Sequence, residues 1–110
     1  MAEHDNVLQR LYDTIAARKT ADPGSSYTAK LLHQGRSVIA KKMGEEAVET
    51  VIAAIGNDRD HLIAESADLV FHLLVLLKSR GVKFDEVEAA LAQRTGMSGL
   101  EEKASRKREG

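Results

Sequence analysis

The sequence predicts an all-α chain, a small helical bundle completed by oligomerisation. Three observations carry this. Apolar residues recur at helical spacing in one stretch after another. The chain of 110 residues is 43% hydrophobic but only 4% aromatic, with a single proline, so Leu, Val, Ile and Ala must build the core, a palette that favours helices. No stretch of any length alternates apolar and polar residues as a half-buried strand does.

The elements follow in order. Asn6 is a good N-cap, and Val7, Leu8, Leu11 and Ile15 define a first amphipathic helix. Arg18 and Lys19 fall in its last turn, where cations suit the helix dipole. Asp22-Pro23-Gly24 signals a turn. Ser25 or Ser26 can then cap a short helix through Tyr27, Leu31 and Leu32, with Gly35 as its stop. This SYTAKLLHQG stretch reads either as a packing helix or as one that faces a substrate. From Arg36 or Ser37 a longer helix runs to Ile55, with Val48, Val51, Ile52 and Ile55 as its apolar stripe. Gly44 inside it costs about 1 kcal/mol against Ala, which suggests close helix approach or room for a ligand.

Gly56 stops that helix, and Asn57 or Asp58 caps the next, which runs from about Arg59 to Ser79. Leu62, Leu69, Leu73 and Leu76 lie on one face of it, and Ile63, Val70, Leu74 and Leu77 on another. A helix apolar on two faces is buried on more than one side, so an oligomer centred on this helix is expected. After the stop at Gly81, a last short helix carries Phe84, Val87 and Leu91, with Asp85 as cap. These elements make one domain, residues 1–94. Residues 95–110 form a charged, glycine- and serine-rich C-terminal tail, expected to be mobile when isolated.

Composition excludes several function classes. The formal net charge is −1, so no whole-surface attraction to nucleic acid is expected. With no cysteine, thiolate nucleophiles, disulfides and Cys-based zinc sites are excluded. The N-terminus is polar and acidic rather than a secretory signal. The apolar runs are far below the roughly 18 residues that span a membrane. A cytoplasmic protein is expected, with no membrane partner.

The acids are the informative residues. Glu45, Glu46 and Glu49 lie on the first long helix, and Glu65 and Asp68 on the second, with His72 one turn on. Helical spacing puts each set on one side of its helix, so antiparallel packing through the short turn can bring both into one cleft. The first set alone would equally describe a solvated face paired with Lys41 and Lys42. The second resists that reading: no Arg or Lys lies between Arg59 and Lys78, and carboxylates among apolar residues need a positive partner. His72 reads as a hydrogen-bonded core residue.

An all-carboxylate donor set suits hard ions, Mg²⁺ or alternatively Mn²⁺. Di-iron bundles would carry Glu-x-x-His, whereas the residues three beyond Glu49 and Glu65 are Ile52 and Asp68. Two carboxylates about 4 Å apart repel by about 4 kcal/mol at an effective dielectric of about 20. Five acids therefore call for more than one ion, or for ions plus lysines. Such a cleft suits phosphoryl transfer from a polyphosphate.

The pattern Glu46-x-x-Glu49, fifteen residues, then Glu65-x-x-Asp68 resembles the signature of the all-α, MazG-like nucleotide pyrophosphohydrolases. Four segments are similar to those of one family within that superfamily, the phosphoribosyl-ATP pyrophosphatases: SYTAKLL at 26–32, KKMGEEAVE at 41–49, ESADLVFHLLVLL at 65–77 and SGLEEKASR at 98–106. The resemblance implies hydrolysis of phosphoribosyl-ATP to phosphoribosyl-AMP and pyrophosphate, the second step of histidine biosynthesis. It implies that Glu46, Glu49, Glu65 and Asp68 hold Mg²⁺ and that Glu45 orients or deprotonates the attacking water. It further implies a homo-oligomer, dimer or tetramer, in a stand-alone form whose product passes to a separate cyclohydrolase.

Lys41 and Lys42 either hold substrate phosphates or pair with Glu45 and Glu46. Lys103 and Arg106 in the tail, with Lys107 and Arg108 beyond them, either close over the polyphosphate or stay solvated. Two other readings stand beside the first. One keeps fold and metal but takes (deoxy)nucleoside triphosphates as substrate. The other is a non-enzymatic oligomerisation module whose acids pair with bases across an interface.

Overall fold

The structure, a computed structural model, describes residues 6–96. The expectations placed on Lys103, Arg106, Lys107 and Arg108 lie outside the described residues. Five α-helices follow one another: α1 (Val7–Ala17), α2 (Tyr27–Gln34), α3 (Arg36–Ile55), α4 (Arg59–Ser79) and α5 (Phe84–Gln93). Among the described residues there is no strand. Short 3₁₀ turns follow α1 at Arg18–Thr20 and α5 at Arg94–Gly96. Arg18 and Lys19 thus form a separate tight turn rather than the end of α1.

Local chemistry sets the helix ends. The Asn6 side chain accepts from Gln9 N at 3.1 Å, Ser26 Oγ from Ala29 N at 3.1 Å, and Asp58 Oδ1 from the amides of Asp60 and His61. Each satisfies an amide that a first helical turn leaves unpaired. Asp85 is not the cap of α5. Lys83 occupies that position, and its N–H donates to Glu86 Oε2 at 3.0 Å. The helix starts earlier than its acids suggest because Phe84, only 6% exposed, anchors its first residue in the core. Gly35 (φ 94°) and Gly81 (φ 73°) take the left-handed conformations that end α2 and the turn after α4.

The core gathers Tyr12 and Ile15 of α1, Leu31 of α2, Ile39 of α3, Leu74 and Val75 of α4, and Phe84 of α5. Each fully buried aliphatic side chain contributes about 1.5–3 kcal/mol. Tyr12 OH donates to Val82 O at 2.7 Å and ties α1 to the α4–α5 connection. Burial, then the charges of Glu86, Asp13 and Asp85, raise the Tyr12 pKa and keep it a neutral donor.

α3 and α4 pack antiparallel along their length. Their seam differs from the stripe the sequence suggests. Ile39 and Ala53 are buried, and Glu46 and Thr50 half-buried, along the side of α3 that meets α4. Thr50 Oγ1 lies 2.8 Å from Glu46 O and 3.2 Å from Glu65 O, so its one proton joins the two helices. Val48, Val51, Ile52 and Ile55 point roughly the opposite way on the helical wheel and are 54–79% exposed. The expected burial centred on α4 is correspondingly incomplete: Leu74 and Val75 are buried, while Ile63 is 54% and Leu73 37% exposed. Among the described residues nothing packs against Gly44: a Cβ there would meet nothing within 4 Å.

Candidate active site

The antiparallel seam brings the two acid sets together. One carboxylate oxygen from each of Glu46, Glu65 and Asp68 lies within 4.8 Å of the others. A second group joins Glu49, His61 and Glu65 on the same criterion. Glu65 belongs to both, so the four acids implied as metal ligands form one continuous cluster. Glu45 is exposed and enters neither group. Lys41 and Lys42 are exposed too, and neither pairs with an acid among the described residues.

The electrostatics are those of an unneutralised cluster. Glu65 Oε1 is buried and has no hydrogen-bond partner. Its other oxygen lies 3.5 Å from His61 Nε2, one turn earlier. Burial raises the Glu46 pKa first, followed by the closeness of the Glu65 carboxyl and then the charges of Asp68 and Glu65; His72 acts in the opposite sense. Ionised carboxylates only accept hydrogen bonds. Neighbours of this kind are stable only around a shared proton or a cation. Among the described residues no Lys or Arg fills that role. The orphaned Glu65 oxygen and the all-oxygen donors of the first group therefore fit a hard divalent ion.

His72 is 4% exposed. Its Nδ1 donates to Asp68 O at 2.8 Å, which leaves Nε2 to accept from Tyr27 OH at 3.0 Å. The ring meets Phe71 edge-on at 5.1 Å between centroids. His72 is thus a core residue, as its apolar helix suggests, but one that connects α2 to the backbone beside Asp68. Tyr27, the second residue of the SYTAKLL segment, is half exposed and reaches the site through it. α2 accordingly both packs and borders the cleft.

Three contributors escape a reading by residue type: His61, Thr50 and Tyr27. His61 and Glu65 stand at i, i+4, a spacing that alone could have suggested the pairing. Thr50 and Tyr27 carry no such local signal, because their partners lie 15 and 45 residues away in the chain.

Comparison with known proteins places the chain in a family. Residues 8–95 match the family model described as phosphoribosyl-ATP pyrophosphohydrolase. A protein of Rhodopseudomonas palustris named phosphoribosyl-ATP pyrophosphatase 1 is 68% identical over 102 residues, covering 93% of this chain and 95% of that protein. The phosphoribosyl-ATP pyrophosphatase of Nitrobacter hamburgensis is 69% identical over 102 residues, with the same coverage. That of Azorhizobium caulinodans is 55% identical over 108 residues, or 98% of this chain and 99% of that protein. With its acid cluster inside the matched region, the chain belongs to the phosphoribosyl-ATP pyrophosphohydrolase family.

Proposed function

We propose that the chain hydrolyses phosphoribosyl-ATP to phosphoribosyl-AMP and pyrophosphate, in histidine biosynthesis. The observation that carries this is the family match over residues 8–95, joined by the buried, unpartnered Glu65 oxygen between the two acid groups. That oxygen fits a cleft that takes up positive charge, since no Lys or Arg among the described residues pairs with these acids. Glu46, Glu49, Glu65 and Asp68 would hold Mg²⁺, or Mn²⁺ as the alternative hard ion. Such an ion supplies polarisation of phosphoryl oxygens and a more acidic water.

The chain's own residues do the rest. Glu45, exposed and next in sequence to Glu46, takes a proton from the attacking water. The water oxygen bonds to phosphorus as the P–O bond between the α and β phosphates breaks, and pyrophosphate leaves. Lys41 and Lys42, unpaired among the described residues, reach for the polyphosphate. Tyr27 and His72 fix the backbone next to Asp68. The exposed stripe Val48, Val51, Ile52 and Ile55 is covered by a second copy of the chain, since contiguous apolar surface of this kind marks an interface.

The test is pyrophosphate release from phosphoribosyl-ATP in the presence of Mg²⁺. Stoichiometric pyrophosphate, abolished by excess EDTA, is expected. Release of single phosphates only, or full activity in EDTA, would overturn the reading. Faster turnover of plain nucleoside triphosphates in the same panel would move the substrate to that class.

A further inference from the structure

A cavity of about 400 Å³ lies at the far end of the α3–α4 seam from the acids. Lys19, His33, Arg36 and Lys78 line it, together with Leu32, Gly35 and Ser79. Among the described residues no acid lines it, and none of Lys19, Arg36 and Lys78 is paired. Like charges gathered in a concavity repel one another, so they favour an anionic guest. The backbone adds to this. α3 has no side-chain cap, and its first intrahelical bond is Ile39 N to Gly35 O. The amides of Arg36, Ser37 and Val38 are therefore left for other acceptors at the positive end of a 20-residue helix.

The position of the cavity matters as much as its charge. Arg36 precedes Glu46 by ten residues on α3, and Lys78 follows Asp68 by ten on α4. At 1.5 Å per residue each interval is about 15 Å. Because the helices are antiparallel, both intervals point to the same end of the molecule. Ser79 lies on the same wheel face of α4 as Glu65, Asp68 and His72. α2 bridges the two places, from Tyr27 beside His72 to His33 on the cavity wall.

A substrate built as phosphoribosyl-ATP carries two separated anions: the triphosphate to be cut and the phosphate of the added ribosyl group. We propose that the basic cavity binds that second phosphate, with Arg36 and Lys78 as its specificity-determining cations. This rests on the substrate reading given above. The acid cleft then takes the triphosphate end, and the cavity recognises the part that ATP lacks. Arg36 presents a planar fork suited to phosphate oxygens, and Lys78 and Lys19 act as point charges beside it.

The test compares the full-length wild type with Arg36→Gln, Lys78→Gln and the double variant, on phosphoribosyl-ATP and on ATP with Mg²⁺, melting curves confirming the fold. Each single change is expected to raise KM for phosphoribosyl-ATP about tenfold, with kcat nearly unchanged and the ATP reaction unaffected. An unchanged KM, or an equal rise for ATP, overturns the proposal. In parallel, metal-free protein is titrated with ribose 5-phosphate while amide shifts of Gly35 and Arg36 are followed by NMR. Saturable shifts, lost in the double variant, are expected; their absence overturns the site. If wild type releases no pyrophosphate from phosphoribosyl-ATP, the substrate reading fails and the assignment of the phosphate to substrate falls with it. The ribose 5-phosphate titration then still decides whether the cavity is a phosphate site.

Discussion

Glu65 is the residue on which the candidate site turns. It belongs to both ligand groups, and one of its oxygens is buried without a partner. Its neighbour Glu46 pays most visibly for the crowding, through a pKa raised by burial and by the adjoining carboxylates. A carboxyl whose folded pKa lies above its unfolded value binds its proton more tightly when folded. The stability from this proton is fully present below the unfolded value and is lost as pH rises through the raised folded value. Metal-free protein should therefore melt at a higher temperature as pH falls from neutral through the Glu46 range, and Glu46→Gln should flatten that dependence in calorimetry. Glu49→Gln and Asp68→Asn should cut pyrophosphate release about 100-fold or more, since an ion's contribution is several kcal/mol. Without Mg²⁺ both variants should keep or gain thermal stability, because each removes a repelling charge. Unfolding of these variants would mark the acids as structural instead.

Each element of the fold shows a division between local and tertiary causes. Helix α3 carries two unlike faces. The one that meets α4 holds Ile39, Glu46, Thr50 and Ala53; the other holds the exposed valines and isoleucines. Periodicity finds the second face and suggests burying it in the bundle. Within one chain the polar face is buried instead, because Thr50 closes against Glu65 O and the acids meet there. Gly44, on this helix, has open space around its Cα. Gly44→Ala should therefore raise stability by about 1 kcal/mol, read as the denaturation midpoint. A parallel loss of activity would show that the space serves the substrate. Destabilisation would instead show that another backbone needs to approach there.

At the scale of the whole molecule, this chain leaves an apolar stripe uncovered that a small domain would be expected to bury. Val48, Val51 and Ile52 are each more than half exposed, and Ile55 is 79% exposed. A charge at the centre of that stripe should separate the copies without touching the core. Val51→Glu is expected to shift sedimentation to that of a 110-residue monomer, with helical content retained by circular dichroism. A monomeric wild type, or an unchanged variant, would leave the stripe to another occupant. Among the described residues no helix is long and apolar enough to cross a membrane.

The sequence by itself determined the all-α class, nearly every helix boundary and the identity of the acids. Those follow from local rules: apolar periodicity, Asn6, Ser26 and Asp58 at N-caps, glycines at stops, and, for Glu65 and Asp68, the lack of a Lys or Arg near enough on their own helix. The tertiary structure alone decided which face of α3 turns inward, that Thr50 and, through Glu65, His61 meet the acids of α3, that Tyr27 reaches His72, and that Lys19, Arg36 and Lys78 share one cavity. Except for His61, one turn from Glu65, each of these depends on residues distant in the chain. Helical spacing fixes where a side chain stands on its own cylinder; only packing fixes which cylinder it meets.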